Sequence, residues 1–311
     1  MHTFHHHQFR DVAALCSLKE ATGETISVVI PTRNEAATVG KIIQIIRDAW
    51  MNACDLVDEI IVMDSGSGDG TRDIARAAGA VVYSAEEIAV ELGNHPGKGE
   101  NLWKSQFVSR GTLCVFIDGD VLNLHPGYIA GLVGPLLENA RIQYVKAFYQ
   151  RPLQVDGEPT EQSGGRVSEL LVRPLFSLFY PQLCALHQPL AGEYAVRRSL
   201  LEQLSFPTGY GVEIAHLMDG LALVGIDAFA QCDLDSRLHR NRPLHELGVM
   251  SCTILQTFLQ RAERDGKLLL TQPTGADFLQ NQSIPYGWQM KKSSIIDHER
   301  PPFGSLTAIS R

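Results

Sequence analysis

Three short apolar runs, each closing on polar residues, constrain this chain more than any other feature. Ile26–Pro31 (ISVVIP), Glu59–Asp64 (EIIVMD) and Leu113–Ile117 (LCVFI) have the length and β-branched content of buried strands. Between them, Val39, Ile42, Ile43, Ile46 and Trp50 recur at helical spacing, and Thr71–Ala78 reads as a helix stopped by Gly79, a residue suited to a left-handed cap. Val81–Tyr83 reads as a short strand and Lys98–Arg110 as a helix. This alternation predicts an α/β fold with a mostly parallel sheet and helices on both faces. In such a sheet ligands bind beyond the carboxyl ends of the strands, so the polar residues closing each run are the ones to inspect.

The second half is less regular. Ile142–Tyr149, Glu193–Val196 and Ala228–Leu234 are strand candidates, and Gln154–Arg166 is a glycine-rich polar loop. Val167–Tyr180 is helical with a break at Arg173-Pro174; Val212–Val224 and Glu246–Arg264 are helical by spacing. The expected division is a first half over 1–150, a second over 151–270, and a loosely ordered tail over 271–311. The His5-His6-His7 triplet reads as a solvated terminal segment, with a fortuitous metal binder or a cloning remnant as the other readings, and carries no functional weight.

A net charge of −8 argues against a nucleic-acid partner, which needs a basic face. No run approaches the apolar length of a membrane span, so no membrane role is expected. The six cysteines are scattered, with no Cys-x-x-Cys pair, which disfavours structural zinc and implies a reducing, cytoplasmic setting.

Asp118-Gly119-Asp120 follows the LCVFI strand. Carboxylate oxygens there suit a hard divalent cation that neutralises a departing diphosphate, while the glycine permits a turn and close approach. The plain alternative is an Asp/Gly turn. Pro31–Glu35 and Asp64–Thr71 close the first two strands on the same rim; Glu35 and Ser65 are candidate nucleoside contacts, whereas Asn34 and Asp69 read as helix caps or turns. Gly97-Lys98-Gly99 opens a helix in a way that suits an anion, or forms a surface turn. Arg237, His239, Arg240 and Arg242 make a local positive cluster that suits phosphate, with His239 a possible metal ligand or a packed histidine. Gly164-Gly165-Arg166 suits a second anionic group or is a flexible loop, and Glu213 opens a helix where its charge complements the dipole.

The ordered set PTRNE, DSGSGDGT, GKGENLW, FIDGD, VKAFYQRPL, GGRVSELLVRPL, QPLAGEYA, GYGVEI and HRNRPL resembles glycosyltransferases of the Rossmann-like GT-A fold, and among them the glucosyl-3-phosphoglycerate synthases. The resemblance implies retaining transfer of glucose from UDP-glucose to the 2-hydroxyl of 3-phosphoglycerate, as in glucosylglycerate synthesis, with Mg2+ or Mn2+ as cofactor and a homodimeric assembly. It implies donor contacts at Pro31, Glu35, Ser65, Lys98, Asp118, Asp120, Leu190, Glu213, Arg237 and Arg242, and acceptor contacts at Gly165, Arg166, Ser168 and Asn241. The metal would lie at Asp120 and His239, and the catalytic group would comprise Glu213, Asp120 and Lys98. Arg33 stands where relatives commonly carry an apolar residue, and Ser168 where threonine is usual. The alternatives are another donor sugar such as mannose, another acceptor, or a non-catalytic nucleotide-sugar sensor.

Overall fold

The computed structural model describes residues 1–151, 153–155, 158–160, 165–238, 243–295 and 297–307. In chain order the strands are β1 (His2–His5), β2 (Ile26–Thr32), β3 (Glu59–Asp64), β4 (Val81–Ser84), β5 (Leu113–Phe116), β6 (Tyr144–Gln150), β7 (Leu153–Val155), β8 (Glu158–Thr160), β9 (Tyr194–Arg197), β10 (Phe206–Pro207), β11 (Phe229–Ser236), β12 (Asp277–Ile284), β13 (Gly287–Ser294) and β14 (Glu299–Arg300). Eight of them form one sheet in the order β1-β11-β6-β9-β5-β2-β3-β4. Every neighbouring pair is parallel except those of β9, which runs antiparallel to both β5 and β6.

The apolar runs form strands because both of their faces are covered. Alternate residues of a strand point to opposite sides. Ile26, Val28, Ile30, Leu113 and Val115 enter one core with Ile42, Ile43 and Ile46 of the helix Val39–Arg47 and Leu132 and Leu136 of the helix Gly127–Glu138. Val29, Ile61, Met63, Cys114 and Phe116 enter a second core with Trp103, Leu217, Ile254 and Phe258, drawn from the helices Lys98–Ser105, Val212–Val224 and Leu244–Arg264. Among the described residues no helix is long and apolar enough to cross a membrane.

The reversed strand β9 shapes the site. Its amino end lies beside the carboxyl ends of β5 and β6, so Gly192 and Glu193 join the rim that carries Asp118 and Asp120. A sequence rhythm cannot reveal this, because a short apolar run reads the same in either direction.

Four local expectations change. The amino terminus is not a solvated segment: β1 adds a parallel edge strand to β11, and His6 and Phe9 are buried. The helix beginning at Lys98 ends at Ser105 rather than Arg110. There the Ser105 hydroxyl donates to the Leu102 carbonyl at 2.6 Å, and the amides of 106–108 switch to carbonyls three residues back. Asn34 is no helix cap; at φ 60° its Oδ1 accepts from Gly68 N and its own N–H donates to Ser67 Oγ. Residues 271–311 are not loosely ordered where described: β12 and β13 pair over their full length, and β14 pairs with β10.

That last pairing places Arg300 against Glu100, which is fully buried in the helix Lys98–Ser105. The guanidinium makes a two-pronged contact, Nε to Oε2 at 2.8 Å and Nη2 to Oε1 at 2.7 Å, and Nη1 donates to the Leu92 carbonyl at 2.8 Å. Trp103 Nε1 donates to the Pro301 carbonyl at 2.8 Å beside it. Removing Arg300 leaves the buried carboxylate with Lys104, whose Nζ lies 3.6 Å from Oε1, and the His95 N–H at 3.3 Å, a weaker set than the two-pronged guanidinium contact. Arg300→Met is expected to lower unfolding free energy by about 3–5 kcal/mol, with much of it recovered in Arg300→Met plus Glu100→Gln. Urea unfolding of the three proteins measures both effects, and equal loss in single and double variants would show that the ion pair is not what holds the tail.

Candidate active site

The polar ends of β2, β3 and β5, the residues ahead of β9, and the segment after β11 surround a cavity of about 780 Å³. Its walls include every sequence-predicted site residue among the described ones: Pro31, Glu35, Ser65, Lys98, Asp118, Asp120, Gly165, Arg166, Ser168, Leu190, Glu213 and Arg237. His239, Asn241 and Arg242, and with them one expected metal ligand, lie outside the described residues.

Charge organises the floor of the cavity. Lys98 Nζ stands 2.5 Å from Asp118 Oδ1 and 2.7 Å from Glu213 Oε1. Arg237 Nη2 donates to Asp118 Oδ2 at 3.1 Å and to Asp120 Oδ1 at 2.7 Å, while its Nε lies 3.2 Å from Glu193 Oε1. Glu193 is fully buried and accepts the Tyr149 hydroxyl at 2.5 Å; Tyr149 in turn accepts from Arg151 at 2.9 Å. Burial disfavours the Lys98 ammonium, but Asp118 and Glu213 outweigh it and hold its pKa well above the usual lysine range. Burial likewise works against the Asp118 carboxylate, and Lys98 and Arg237 overcome it, holding its pKa well below the ordinary range. Arg237 is disfavoured by burial and raised by Glu193, Tyr149 and the two aspartates. All three groups therefore stay ionised across the physiological range.

Glycines make these approaches possible. A Cβ at Gly192 would stand 2.0 Å from Asp118 Oδ2. At Gly97 and Gly99 a Cβ would meet the carbonyl oxygens of Thr208 and Pro207 at 2.1 and 1.8 Å. Glu100 N–H is donated to Thr208 O at 3.1 Å. The Gly-Lys-Gly segment thus admits the backbone of 207–209 against the helix start, and the lysine side chain rather than that amide faces the cavity.

At the end of the rim formed by β3, Ser65 Oγ donates to Asn101 Oδ1 at 2.9 Å, and Asn101 Nδ2 to the Met63 carbonyl at 3.0 Å. Arg33 also lines the cavity. At the other end Arg166 precedes a π-type turn, Ser168–Val172, that continues directly into the helix Arg173–Phe179, which is how the break at Arg173-Pro174 is accommodated.

Asp120 tests the fit of a divalent cation. A third of its side chain is exposed, it lines the cavity, and among the described residues only Oδ1 is committed, to Arg237. An accessible carboxylate oxygen is the donor that Mg2+ or Mn2+ prefers, so the rim fits such an ion.

Sequence reasoning assigned no role to Glu193, Tyr149, Arg151 or Lys146. Lys146 is the most unusual. It lies on β6, 1% exposed, and its Nζ has no hydrogen-bond partner among the described residues. The ammonium sits 4.9 Å from the ring centre of Tyr194 and 6.0 Å from that of Tyr144. The available signal was a lone charge in the apolar strand YVKAFY. Burial lowers its pKa to about 8, with Lys98 pushing the same way and Glu213 and Glu193 opposing. A lysine whose folded pKa lies below its unfolded value penalises folding at lower pH, and the penalty fades as pH rises from the folded value toward the unfolded one. Between about pH 8 and pH 10.5 the native chain should gain on the order of 2 kcal/mol relative to Lys146→Met. Urea midpoints of both proteins at about pH 7.5 and about pH 10 check this, and a pH-independent difference would refute it.

Comparison with known proteins places this geometry. Residues 27–204 match the family model of glycosyl transferase family 2. The glucosyl-3-phosphoglycerate synthase of Petrotoga mobilis is 45% identical over 300 residues, covering 96% of this chain and 92% of that protein. The protein of the same name from Mycobacterium tuberculosis (strain ATCC 25618 / H37Rv) is 46% identical over 287 residues, covering 90% and 85%. The crystal structure of mannosyl-3-phosphoglycerate synthase from Rubrobacter xylanophilus superposes with TM-score 0.91 at 36% identity, covering 98% of this chain and 97% of that one. The M. tuberculosis glucosyl-3-phosphoglycerate synthase in complex with Mn2+, UDP-glucose and phosphoglyceric acid superposes with TM-score 0.82 at 42% identity, covering 98% and 99%. This chain belongs to glycosyl transferase family 2 and, within it, to the glucosyl-3-phosphoglycerate synthases.

Proposed function

We propose that this chain transfers glucose from UDP-glucose to the 2-hydroxyl of 3-phosphoglycerate with retention at the sugar carbon. The observation that carries this reading is one cavity lined both by the paired charges Lys98, Arg237, Asp118 and Asp120 on the rim and by Arg166 and Ser168. That arrangement suits a diphosphate at the rim and a phosphorylated hydroxy acid at Arg166 and Ser168, in a volume typical of small-molecule sites. It also disfavours a sensor, which has no use for the second set.

Pro31, Glu35 and Ser65 are assigned to the nucleoside, Leu190 to the donor, and Gly165, Arg166, Ser168 and Asn241 to the acceptor. Asp120 and His239 would hold a divalent cation, whose charge when bound neutralises the leaving diphosphate. Lys98, Arg237 and Arg242 add fixed positive charge at the same place, which lowers the barrier because it requires no reorganisation as the bond breaks. Glu213 is held by Lys98 and 6% exposed, so it orients the sugar rather than attacking it. The sugar C1–O bond to the diphosphate breaks, a bond from C1 to the acceptor oxygen forms on the same face, and the hydroxyl proton passes to the departing diphosphate.

A mannosyl donor is the second reading, favoured by the close superposition on the mannosyl enzyme. We further propose a cytoplasmic homodimer. All six cysteines are free, and the hairpin β12–β13, which pairs only with itself among the described residues, exposes Tyr286, Trp288 and Met290.

UDP-, ADP- and GDP-glucose and GDP-mannose, each offered with 3-phosphoglycerate and Mg2+, should yield a hexosyl-phosphoglycerate from UDP-glucose foremost. EDTA should abolish product and Mg2+ or Mn2+ restore it. Donor hydrolysis without that product would discard the acceptor, and preferred use of GDP-mannose would replace the donor. Lys98→Met should lower kcat about 100-fold or more, with KM for donor changing less; steady-state kinetics on the folded variant decide, and near-normal kcat would remove Lys98 from the catalytic group.

A further inference from the structure

The first seven residues carry a cluster that the transferase reading leaves unused. β1 ends at His5, and the chain turns at once into a single 3₁₀ turn, His6–Phe9. A continuing strand would send successive side chains to opposite faces. The turn instead gathers three consecutive rings, with centroids 4.8 Å apart for His5 and His6, 4.5 Å for His5 and His7, and 4.2 Å for His6 and His7. All three present Nε2 to one carboxylate. Asp235 Oδ2 lies 2.6 Å from His6 and 4.0 Å from His7, and Oδ1 lies 3.2 Å from His5. The ligand-type atoms of the four residues fall within 4.8 Å of one another.

The arrangement is held from both sides. Asp235 adopts φ 66°, uncommon for a residue with a side chain, at the point where the register of β11 against β6 shifts. His6 is seated on glycines of the helix Gly127–Glu138: a Cβ at Gly127 would stand 2.3 Å from His6 Nδ1, and one at Gly131 2.9 Å from His6 Cβ. A Cβ at Gly134 would stand 2.2 Å from the Phe9 ring. The His125 ring packs beside the cluster, its centre 4.8 Å from that of His6.

We propose that His5, His6, His7 and Asp235 form a structural site for a first-row transition dication, with Zn2+ the best match, separate from the Asp118–Asp120 rim. Three imidazole nitrogens and one carboxylate oxygen make a closed four-coordinate set for Zn2+ and are too nitrogen-rich for Mg2+ or Ca2+. Each ring binds in its neutral form through Nε2, with the remaining proton on Nδ1. His5 Nδ1, which accepts the His7 N–H at 3.2 Å in this structure, gives up that bond on coordination. The ion ties the amino terminus to the end of β11, two residues before Arg237.

The test uses the full chain carrying Asp120→Ala, which disables the rim as a metal site, after removal of metal with a chelator. Titration with Co2+ should show one equivalent per chain with the intense visible bands of four-coordinate cobalt, displaced by Zn2+, and Zn2+ should raise the thermal midpoint. Adding His5→Gln and His7→Gln, both at the surface, should abolish the bands and weaken binding at least about 100-fold while leaving the far-ultraviolet circular dichroism unchanged. Weak six-coordinate bands in the Asp120→Ala chain, or binding that survives both histidine substitutions, would overturn the proposal.

Discussion

Arg237 is the interaction on which the site depends. Its guanidinium touches carboxylates from two chain segments, Asp118 and Asp120 after β5 and Glu193 ahead of β9. β11, which delivers it, is separated from β5 by β6 and β9, roughly 14 Å across the sheet at ordinary strand spacing. The backbone itself bridges the gap: Leu122 N–H is donated to Leu238 O at 3.1 Å, and Leu238 N–H to Asn123 Oδ1 at 2.7 Å. The turn after β11 is therefore stitched to the turn after β5, and the arginine needs only its own length to reach the rim.

Such a network is a poor source of stability. Removing several charges from water costs most of what their mutual attraction returns, and apolar residues of similar volume often do better. What it does is fix the positions of several charges along the cavity wall. Lys98 and Arg237 stay ionised because the same carboxylates that disfavour leaving them alone also fix their positions. Asp120, with one oxygen paired and a third of its surface open, is the member of the network able to take a new partner without leaving a buried charge exposed.

The parallel strands were readable because their physics is local: an apolar run covered on both faces is hydrophobic at every position, and the polar residues closing β2, β3 and β5 fall on one rim by topology. Asp118, Lys98 and Glu213 were readable because each closes or opens an element. What escaped the sequence depends on partners far along the chain. The direction of β9 rests on pairing with strands on either side of it. Lys146 looks like any strand lysine until Tyr144 and Tyr194 are stacked beneath it. Glu100 reads as a helix-face charge paired with Lys104, and its two-pronged partner lies 200 residues on, beyond the reach of local pattern. His6 looks solvated until the glycines of a later helix open a seat for it.

The two ends of the chain are placed where the two site cations are delivered. β1 flanks β11, whose end carries Arg237; Arg300 and Pro301 grip Glu100 and Trp103 on the helix whose first residue is Lys98. Both cations sit at element termini, where backbone hydrogen bonds run out and fraying is easiest. A strand edge left open beside β11, or a short helix held only by its own eight residues, would let either side chain wander by the ångström that positioning cannot tolerate. The terminal segments are thus better understood as outer supports of the charge network than as decoration on a complete domain.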